Sequence, residues 1–466
     1  MSATPSMSGS SQIDLSYKQQ PNCYDLSHIP GEYGLPVIGR TLFLFKDFYG
    51  LVDEHYKKYG AVSRIGLIGH KSILAVGPEI NKQIYLDKDR NFSAEMGYFD
   101  SLGKFYGGGL LMRDFEDHRF QRRIFQGAFK HEAMRHYTDM MNPIMSSNIQ
   151  SWKGGNNFLF FPNVKETLLD AAATIFLGIE DFKGAEAERI SNTFINIADG
   201  MLGVIRYDSP LFPFAKWRKG MQAKRYMENF LGSQIPTRRT SGSKDMFTFL
   251  CQEKRPDTND YFANADIIAH INFLLFAAHD TTTSNLCYIM QHLGQHPEWQ
   301  ERAREEAIAL GKEALDFDDI DKMAVMDNIH HEALRLQPSV QMMMRRTIRD
   351  CEMGGYHIPA NTLISIPPAY THMMEEYWTN PKKFDPDRWS PARAEHKRHP
   401  FQFIGFGGGA HKCIGMHFAG MIVKTFLHQM LLNYRWKTPE GYNPVHQFVP
   451  LPKQMDDLPL ILEPIR

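Results

Sequence analysis

Hydrophobic residues recur at helical spacing through most of the chain up to about Pro338, and they alternate with polar residues in a few shorter stretches. A helical pattern near Phe45–Tyr59 leads into an alternating stretch, Ala61–Val76, which predicts a β-hairpin. Strand patterns return in three later stretches, Arg345–Pro359, Thr362–Ile366 and Pro444–Leu462. The pattern therefore predicts an α+β fold that is mainly helical with small β-sheets.

One predicted helix, Asn264–His292, is apolar on nearly every face and much longer than the usual 11 to 12 residues or so. Asn264 is placed as its N-cap, and a helix of this composition must run through the interior. Its middle nevertheless carries Asp280 and three threonines, where a structural helix would carry Leu or Ile. Because buried Asp and Thr are costly unless hydrogen-bonded, this cluster is either a kink satisfied by its own side chains or a functional site.

Length and composition indicate one large domain. The chain has 466 residues, of which 43% are hydrophobic and 23% charged, with a net charge of −1, so it lacks the basic surplus of a nucleic-acid binder. Residues 1–26 are expected to form a disordered tail, with neither a signal peptide nor a membrane anchor, and residues 27–466 a single domain. The five cysteines are scattered and never spaced as CxxC, which favours a reducing, cytoplasmic location.

A glycine-rich loop contains the most informative cysteine. Cys413 directly precedes a helical pattern, and a helix N-terminus favours the thiolate form that binds metals. His411 and Lys412 add positive charge, and the preceding glycines would let the backbone approach a flat ligand. A phosphate-binding loop is disfavoured because GxxxxGK[ST] is absent. A structural turn with a buried free cysteine would leave the glycines and cations unexplained.

This loop resembles the heme loop of the cytochrome P450 superfamily, Phe-x-x-Gly-x-(Arg/His)-x-Cys-x-Gly, through Phe406, Gly409, His411, Cys413 and Gly415. The resemblance covers about residues 29–466. It implies the cytochrome P450 fold with a long internal helix across the heme, heme b as the cofactor, and the Cys413 thiolate as the axial ligand of the iron.

The family's Glu-x-x-Arg pair and its third partner are matched by Glu332, Arg335 and Arg388. The resemblance implies that these residues brace the heme loop from behind through charge-assisted hydrogen bonds. The spacing alone is not selective, because it recurs at Glu301/Arg304, which are expected to lie on the surface. Only Glu332/Arg335 lies at the family's distance before a proline and the strand region.

The resemblance also implies a set of cations around the heme propionates. His118 and Arg122 match the family's Trp-x-x-x-Arg helix with His in place of Trp, and Arg345 opens the strand after the Glu332 helix, with Arg346 as its rival. With His411, these residues supply the cations that a buried dianionic heme edge needs. The two histidines resemble a bacterial-type relative of the branch that holds sterol 14-demethylases and retinoic acid hydroxylases.

The polar centre of the internal helix is similar to the family's oxygen motif, (Ala/Gly)-Gly-x-(Asp/Glu)-Thr-(Thr/Ser), with Ala278 where Gly is usual. The resemblance implies two catalytic residues, Thr281 as a hydrogen-bonding partner of bound dioxygen and Asp280 as a proton relay. A true sterol demethylase is disfavoured because that family typically has His where this chain has Asp280.

The implied activity is a soluble monooxygenase that uses O2 to oxidise an apolar substrate, with a steroid, sterol or isoprenoid as the expected class. Electrons are expected from a separate ferredoxin- or flavodoxin-type donor and its reductase, with Lys412, Arg123 and Lys424 as candidate docking cations. Within the stretches Phe99–Met112, Met201–Phe214 and others, the pocket is predicted to be lined by Phe99, Phe105, Met112, Phe273, Ala277, Val340, Met342, Met344 and Met455. A peroxide-driven peroxygenase and a non-catalytic heme sensor or ligand-binding protein are the alternatives.

Overall fold

The structure is a computed structural model that describes residues 15–179, 184–201, 215–448 and 450–465. The helices of this part of the chain are α1 Thr41–Lys46, α2 Phe48–Tyr59, α3 Pro78–Leu86, α4 Ala94–Tyr98, α5 Lys104–Tyr106, α6 Phe115–Phe125, α7 His131–Gln150, α8 Phe160–Leu177, α9 Gly184–Met201, α10 Lys216–Arg238, α11 Met246–Gln252, α12 Asn264–Gln295, α13 Pro297–Ala309, α14 Ala324–Leu336, α15 Pro368–Thr371 and α16 Met416–Asn433.

The strands are short and lie mainly in the N-terminal part and after α14. They are β1 Gly31–Glu32, β2 Val62–Leu67, β3 His70–Ala75, β4 Phe92–Ser93, β5 Gly155–Leu159, β6 Met343–Thr347, β7 Cys351–Met353, β8 Tyr356–Ile358, β9 Leu363–Ile366, β10 Tyr434–Lys437, β11 His446–Gln447, β12 Lys453–Gln454 and β13 Pro459–Pro464. The predicted α+β fold, mainly helical with small sheets, is confirmed.

A six-stranded sheet in the order β1-β2-β3-β9-β6-β4 joins the N-terminal hairpin to the strands after α14. The predicted hairpin is confirmed as β2 and β3, paired antiparallel around Ile68 and Gly69. β9 pairs parallel with β3 and antiparallel with β6, where Arg345 lies opposite Ile364. In this sheet, β6, the strand that carries Arg345 and Arg346, is paired with β4. Because α4 directly follows β4, α4 lies beside β6.

Helix α12 runs for 32 residues through the largest buried cluster, packed between α8, α10, α14 and α16. Its start differs slightly from the prediction. Asn264 is the first helical residue and not the cap, because its side-chain oxygen accepts a hydrogen bond from Arg239 at 2.7 Å. Nearly every residue from Thr282 to Gly294 is buried, whereas several residues from Phe273 to Thr281 keep accessible surface. The helix therefore borders an internal space at its middle.

The segment just before residue 27 is ordered, contrary to the expected tail. Residues 15–19 form a 3₁₀ turn in which Tyr17 is buried, and Leu26 has no exposed surface. The carbonyls of Gln20 and Pro21 accept hydrogen bonds from Arg346. The expectation of disorder is therefore wrong for residues 15–26, and residues 1–14 lie outside the described residues. Within the described part of the chain, no helix is both long enough and apolar enough to cross a membrane.

Candidate active site

The Cys413 loop folds back on itself before α16. The Cys413 N–H donates a hydrogen bond to the Phe406 carbonyl at 2.8 Å, and α16 begins three residues later, at Met416. Burial raises the pKa of the thiol, opposed by a hydrogen bond from the Gly415 N–H and by the charges of Arg122 and Lys412. Cys413 nevertheless keeps accessible surface, so its sulfur borders an enclosed space and lies among groups that stabilise a thiolate.

The loop glycines serve a purpose that differs from the predicted one. Gly407 and Gly409 adopt φ values of +69° and +61°, a region that glycine enters without strain. A Cβ on Gly409 would overlap the carbonyl oxygen of Tyr85 in α3, and a Cβ on Gly408 would lie 3.0 Å from the Tyr85 ring. These glycines therefore let the loop pack against α3, whereas a Cβ on Gly415 would meet nothing closer than Phe129 at 3.9 Å.

The predicted histidines lie face to face beside this loop. The rings of His118, from α6, and His411 are stacked with centroids 3.9 Å apart and planes 28° apart. Burial, followed by the charge of Arg122, lowers the pKa of His118 to about 4. Burial and the charges of Arg345, His118 and Arg122 also hold the pKa of His411 well below its usual range. Both rings are therefore neutral near pH 7, and each offers a ring N–H rather than a full positive charge.

Arg345, and not its rival Arg346, belongs to this group. Arg346 points the other way and donates to the carbonyls of Gln20, Pro21 and Asn361. Arg345 is buried, with its guanidinium 5.5 Å from the centre of the Tyr85 ring. Adjacent strand residues point to opposite faces of a sheet, which separates the two arginines.

Tyr98 is a member of this group that the sequence analysis missed. Its hydroxyl accepts a hydrogen bond from the Met344 N–H at 3.2 Å and bonds to the Arg345 guanidinium. Its signal in the sequence was weak, because a single tyrosine on a short helix has no family motif around it.

This group suits a flat, dianionic ligand. Among the described residues, neither Arg122 nor Arg345 has a carboxylate within 4 Å, unlike most of the other arginines. Asp114 lies 3.9 Å from His411, but its oxygens already accept bonds from Ser93 and from the N–H groups of Ala94 and Glu95. Charged side chains that are wholly or partly buried without a counter-ion favour an anionic ligand. The residues present therefore fit heme b, whose propionates the arginines would hold and whose iron Cys413 would bind.

The middle of α12 presents one partly accessible face. Phe273, Ala277 and Thr281 follow each other at four-residue intervals, and all three keep accessible surface, so they share one face of the helix. The Thr281 hydroxyl donates to the Ala277 carbonyl at 2.5 Å, and the Thr281 carbonyl accepts a bond from Ser339 at 2.8 Å. Its hydroxyl oxygen keeps lone pairs that can accept a hydrogen bond from a ligand.

Asp280 is held on the neighbouring face by α8 and by a residue that sequence reasoning did not assign. His279 Nδ1 lies 2.9 Å from its carboxylate and His279 Nε2 lies 3.0 Å from the Lys165 carbonyl, while Lys165 Nζ lies 3.8 Å from the carboxylate. Burial would raise the pKa of Asp280, but His279 and Lys165 outweigh it, so this pKa lies below its ordinary value. The two ring nitrogens of His279 therefore face two oxygen atoms, one of the Asp280 carboxylate and one of the Lys165 carbonyl.

Glu332 is the centre of a fully buried network. Its carboxylate accepts bonds from Arg335 at 2.8 Å, Arg388 at 2.9 Å, the Asp385 N–H at 3.0 Å and the Trp389 indole at 3.0 Å. The three charged side chains have no exposed surface.

This network is connected to the Cys413 loop through His372. Arg335 donates to the His372 carbonyl at 2.9 Å, and His372 Nε2 accepts the Ile404 N–H at 3.0 Å. Ile404 is two residues before Phe406, so the Glu-x-x-Arg pair reaches the loop through two hydrogen bonds.

Two expectations about surface cations are wrong. Arg304 is 4% exposed and donates to the Leu431 carbonyl and the Gln300 side chain, although its spacing partner Glu301 is accessible. Lys424 is also buried, bound to Asp327 at 2.8 Å and to the Ile320 carbonyl at 3.1 Å. Arg304 is buried where α13 packs against α16, and Lys424 is buried where α16 packs against α14, and local spacing reveals neither contact. Lys412 and Arg123 are exposed.

The residues predicted to line the pocket differ in their burial and do not all lie in one environment. Phe105 is fully buried against Trp217, with ring centroids 4.9 Å apart, and does not border the space. Met112 is also buried, whereas Phe99 and Met455 are 45% and 58% exposed. Val340, Met342 and Met344 are partly buried, and Met342 packs against the cluster around Phe48. The rest of the predicted stretch, 202–214, lies outside the described residues.

Comparison with known proteins agrees with this geometry. The family model Cytochrome P450 matches residues 29–454. A protein of Mycobacterium tuberculosis, "Putative cytochrome P450 136", is 35% identical over 447 residues, covering 94% of this chain and 89% of the relative. A Taxus cuspidata protein, "Taxane 10-beta-hydroxylase", is 27% identical over 445 residues, covering 91% of this chain and 87% of the relative.

A solved structure agrees as well. "Retinoic acid bound cyanobacterial CYP120A1" superposes with a TM-score of 0.82 at 26% identity, covering 94% of this chain and 99% of the other. The likeness extends over nearly the full length of both chains. The chain therefore belongs to the cytochrome P450 family of monooxygenases, which bind heme b.

Proposed function

We propose that this monooxygenase inserts one oxygen atom of O2 into an apolar, isoprenoid-derived substrate such as a terpenoid, sterol or steroid, with electrons from a separate ferredoxin- or flavodoxin-type donor in the cytoplasm. The observation that carries the proposal is the cluster of Cys413, Arg122, Arg345 and the two histidines, together with the partly accessible polar face at the middle of α12. The apolar side chain of Phe273 on that face supports an apolar substrate. The relative whose name assigns it a taxane substrate supports an isoprenoid one.

Heme, when bound, supplies dioxygen binding and O–O bond cleavage, which a thiolate ligand favours. The residues of this chain hold and orient it. Cys413 provides the thiolate, and Gly415, Arg122 and Lys412 stabilise its charge. Arg122 and Arg345 would pair with the two propionates, and the His118 and His411 rings would supply further N–H donors.

Proton delivery is assigned to the centre of α12. Asp280 is ionised and partly accessible, with a side chain 16% exposed, and Lys165 beside it is 30% exposed. A proton taken from solvent at the Asp280 carboxylate needs to travel only to the adjacent residue, Thr281. The Thr281 hydroxyl would hold dioxygen in the site by a hydrogen bond and would receive the proton that Asp280 takes up.

Arg122→Ala is expected to weaken heme retention, because it leaves one propionate without its cation. Transfer of heme to excess apomyoglobin should accelerate by about ten- to hundredfold, the effect of losing roughly 1.5–3 kcal/mol from one charged hydrogen bond. Arg123→Ala is the matched control, since Arg123 is the exposed neighbour of Arg122 on the same helix. Equal transfer rates in the two variants would remove the propionate assignment.

The function itself is tested by turnover of a terpenoid and steroid panel under two conditions, a ferredoxin–reductase system with O2 and hydrogen peroxide alone. We expect product only, or mainly, with the reducing system, and incorporation of one atom from labelled O2. Equal or better turnover with peroxide would make the protein a peroxygenase. Spectral binding of ligands without product under either condition would make it a sensor or binding protein.

A further inference from the structure

Exposed hydrophobic residues are concentrated in one small region of the surface. Of the eighteen large hydrophobic side chains that are exposed in the described part of the chain, six lie within residues 35–45 and a seventh is Ile68. We call these seven residues the apolar ridge: Leu35, Val37 and Ile38 in a turn, Leu42, Phe43 and Phe45 on α1, and Ile68 between β2 and β3. Single exposed hydrophobic residues are ordinary on a protein surface, whereas a contiguous group of them marks an interaction site.

Hydrogen bonds hold the parts of the ridge side by side. The Arg40 N–H donates to the Gly66 carbonyl at 2.7 Å, which ties the first turn and α1 to β2. The Ile68 N–H donates to the Thr41 hydroxyl oxygen at 2.7 Å. A Cβ on Gly39 would overlap the Gly66 carbonyl, so the first turn packs directly against β2. The ridge is therefore one fixed surface rather than three separate loops.

Two residues of the ridge adopt a backbone conformation that costs free energy. Val37 has a φ of +63° and Ile68 a φ of +51°, in a region that β-branched residues very seldom occupy but that glycine and asparagine enter more easily. Their side chains are 89% and 53% exposed, so folding gains little from burying them. Strain of this kind is concentrated at functional sites. The two turns thus display apolar side chains that stability alone would not favour.

The polar groups of the ridge indicate what it can bind. Residues 35–46 include no Asp, Glu, Asn or Gln, and the Thr41 hydroxyl is already bonded within the ridge. A protein interface usually carries about one hydrogen bond per 100–200 Å², which these side chains cannot supply. The exposed charges at the two ends are Lys46 and Lys71, and Lys71 Nζ lies 4.7 Å from the centre of the Tyr33 ring. Among the described residues, neither lysine has a carboxylate within 4 Å.

The carboxylates beside α1 already have partners. Arg40 pairs with Glu32 at 2.7 Å and with Glu54 at 2.6 Å. Asp47 accepts the N–H of Gly50 at 2.9 Å and so caps α2. The surface around the ridge therefore combines apolar side chains with cations that are available to an external anion.

We propose that the apolar ridge docks the protein on the surface of an anionic lipid bilayer, with its side chains among the acyl chains and Lys46 and Lys71 at the headgroups. A bilayer accepts protruding apolar side chains without a matching pocket and without hydrogen bonds from them. Lysines beside such a surface are attracted to anionic headgroups, and this complementarity favours a bilayer over a second protein. The inference does not depend on the proposed function, because no residue of the ridge belongs to the candidate active site.

The test is flotation of the heme-loaded full chain with vesicles made of equal parts of phosphatidylcholine and phosphatidylglycerol. The main variant is Val37→Asn with Ile68→Asn, because asparagine tolerates the left-handed backbone of both turns and removes the apolar side chains. Leu42→Gln with Phe45→Gln is a second pair, which leaves both turns unchanged. Ile308→Gln is the control, since Ile308 is 60% exposed on α13, outside the ridge.

The wild type should float with the vesicles. Each paired variant should bind about tenfold more weakly or worse, because two apolar side chains no longer leave water. The Val37→Asn, Ile68→Asn variant should melt at the same temperature as the wild type or higher, since its turns are relieved of strain. Lys46→Gln and Lys71→Gln should each weaken binding about fivefold, as expected for one cation at an anionic surface. Ile308→Gln should float like the wild type.

The proposal is overturned if the wild type does not float, or if both paired variants float as well as it does. A wild-type dimer that does not bind vesicles and that the paired substitutions dissociate would instead assign the ridge to contact between two copies of the chain. Heme content and the spectrum of the reduced carbon monoxide complex should be the same in all variants. A loss of flotation then reports on the ridge and not on the catalytic site.

Discussion

Glu332→Ala should give a protein that folds poorly and retains almost no heme. The substitution leaves the guanidinium of Arg335 fully buried without a carboxylate, and an uncompensated buried charge costs about 3–5 kcal/mol. Total stability is commonly only about 5–15 kcal/mol. The loop is affected directly, because Arg335 orients His372, which accepts the Ile404 N–H two residues before Phe406. The measurement is heme per protein after purification, with the melting temperature.

The network also predicts an order of severity. Arg335→Ala should be milder than Glu332→Ala, because Glu332 would still accept bonds from Arg388 and Trp389. Arg388 would keep Glu395, at 3.0 Å, in either variant. Glu116→Ala is the matched control, since Glu116 and Arg119 have the same spacing but are 61% and 62% exposed. Equal heme loss in Glu116→Ala and Glu332→Ala would contradict the bracing role.

Thr281→Ala should separate electron consumption from product formation. The substitution removes the hydroxyl on the accessible face of α12 but leaves the packing of this face nearly intact, so heme content and the substrate-induced spectral shift should change little. Without its hydrogen bond, reduced oxygen should leave as peroxide or water, and product per reduced nicotinamide should fall about tenfold or more. The measurement is product and peroxide per nicotinamide consumed in a reconstituted system.

Asp280→Asn should differ in kind from Thr281→Ala. The amide cannot take up and release a proton as the carboxylate does, so overall turnover should slow. Thr283→Val is a control on the same helix, because the Thr283 hydroxyl also bonds back to a carbonyl, that of His279, but lies buried away from the accessible face. If Thr281→Ala forms as much product per nicotinamide consumed as the wild type, the polar centre of α12 is only a kink whose hydroxyl groups are satisfied by backbone carbonyls.

Local periodicity was enough to predict the helical body, the first hairpin and the long internal helix, because these depend on residues close in sequence. It missed the break between α1 and α2, where the Asp47 carboxylate accepts the Gly50 N–H. It also did not reveal strand pairing between β3 and β9, whose partners are almost 300 residues apart.

The residues of the candidate site were likewise only partly predictable from the sequence. Cys413 and Glu332 were identifiable because each has a motif with fixed spacing, although Glu301/Arg304 shows that identical spacing says nothing about burial. The choice between Arg345 and Arg346 depended on which face of β6 each side chain takes. The sequence favoured Phe105 for the pocket. In the structure, the orientation of α5 directs the Phe105 ring toward Trp217, and it is the neighbouring Tyr106 ring that packs against α12. His279 had no motif of its own and acquired a role only through Lys165, 114 residues away.

The central claim is that Cys413 is the thiolate ligand of a heme bound between the Cys413 loop and α12. The most direct measurement is the absorption spectrum of the reduced carbon monoxide complex of the wild type and of Cys413→His. The wild type should show the red-shifted Soret band that thiolate ligation produces. Cys413→His should retain some heme, held by Arg122 and Arg345, and lose that band. Persistence of the red-shifted band in Cys413→His would contradict the account.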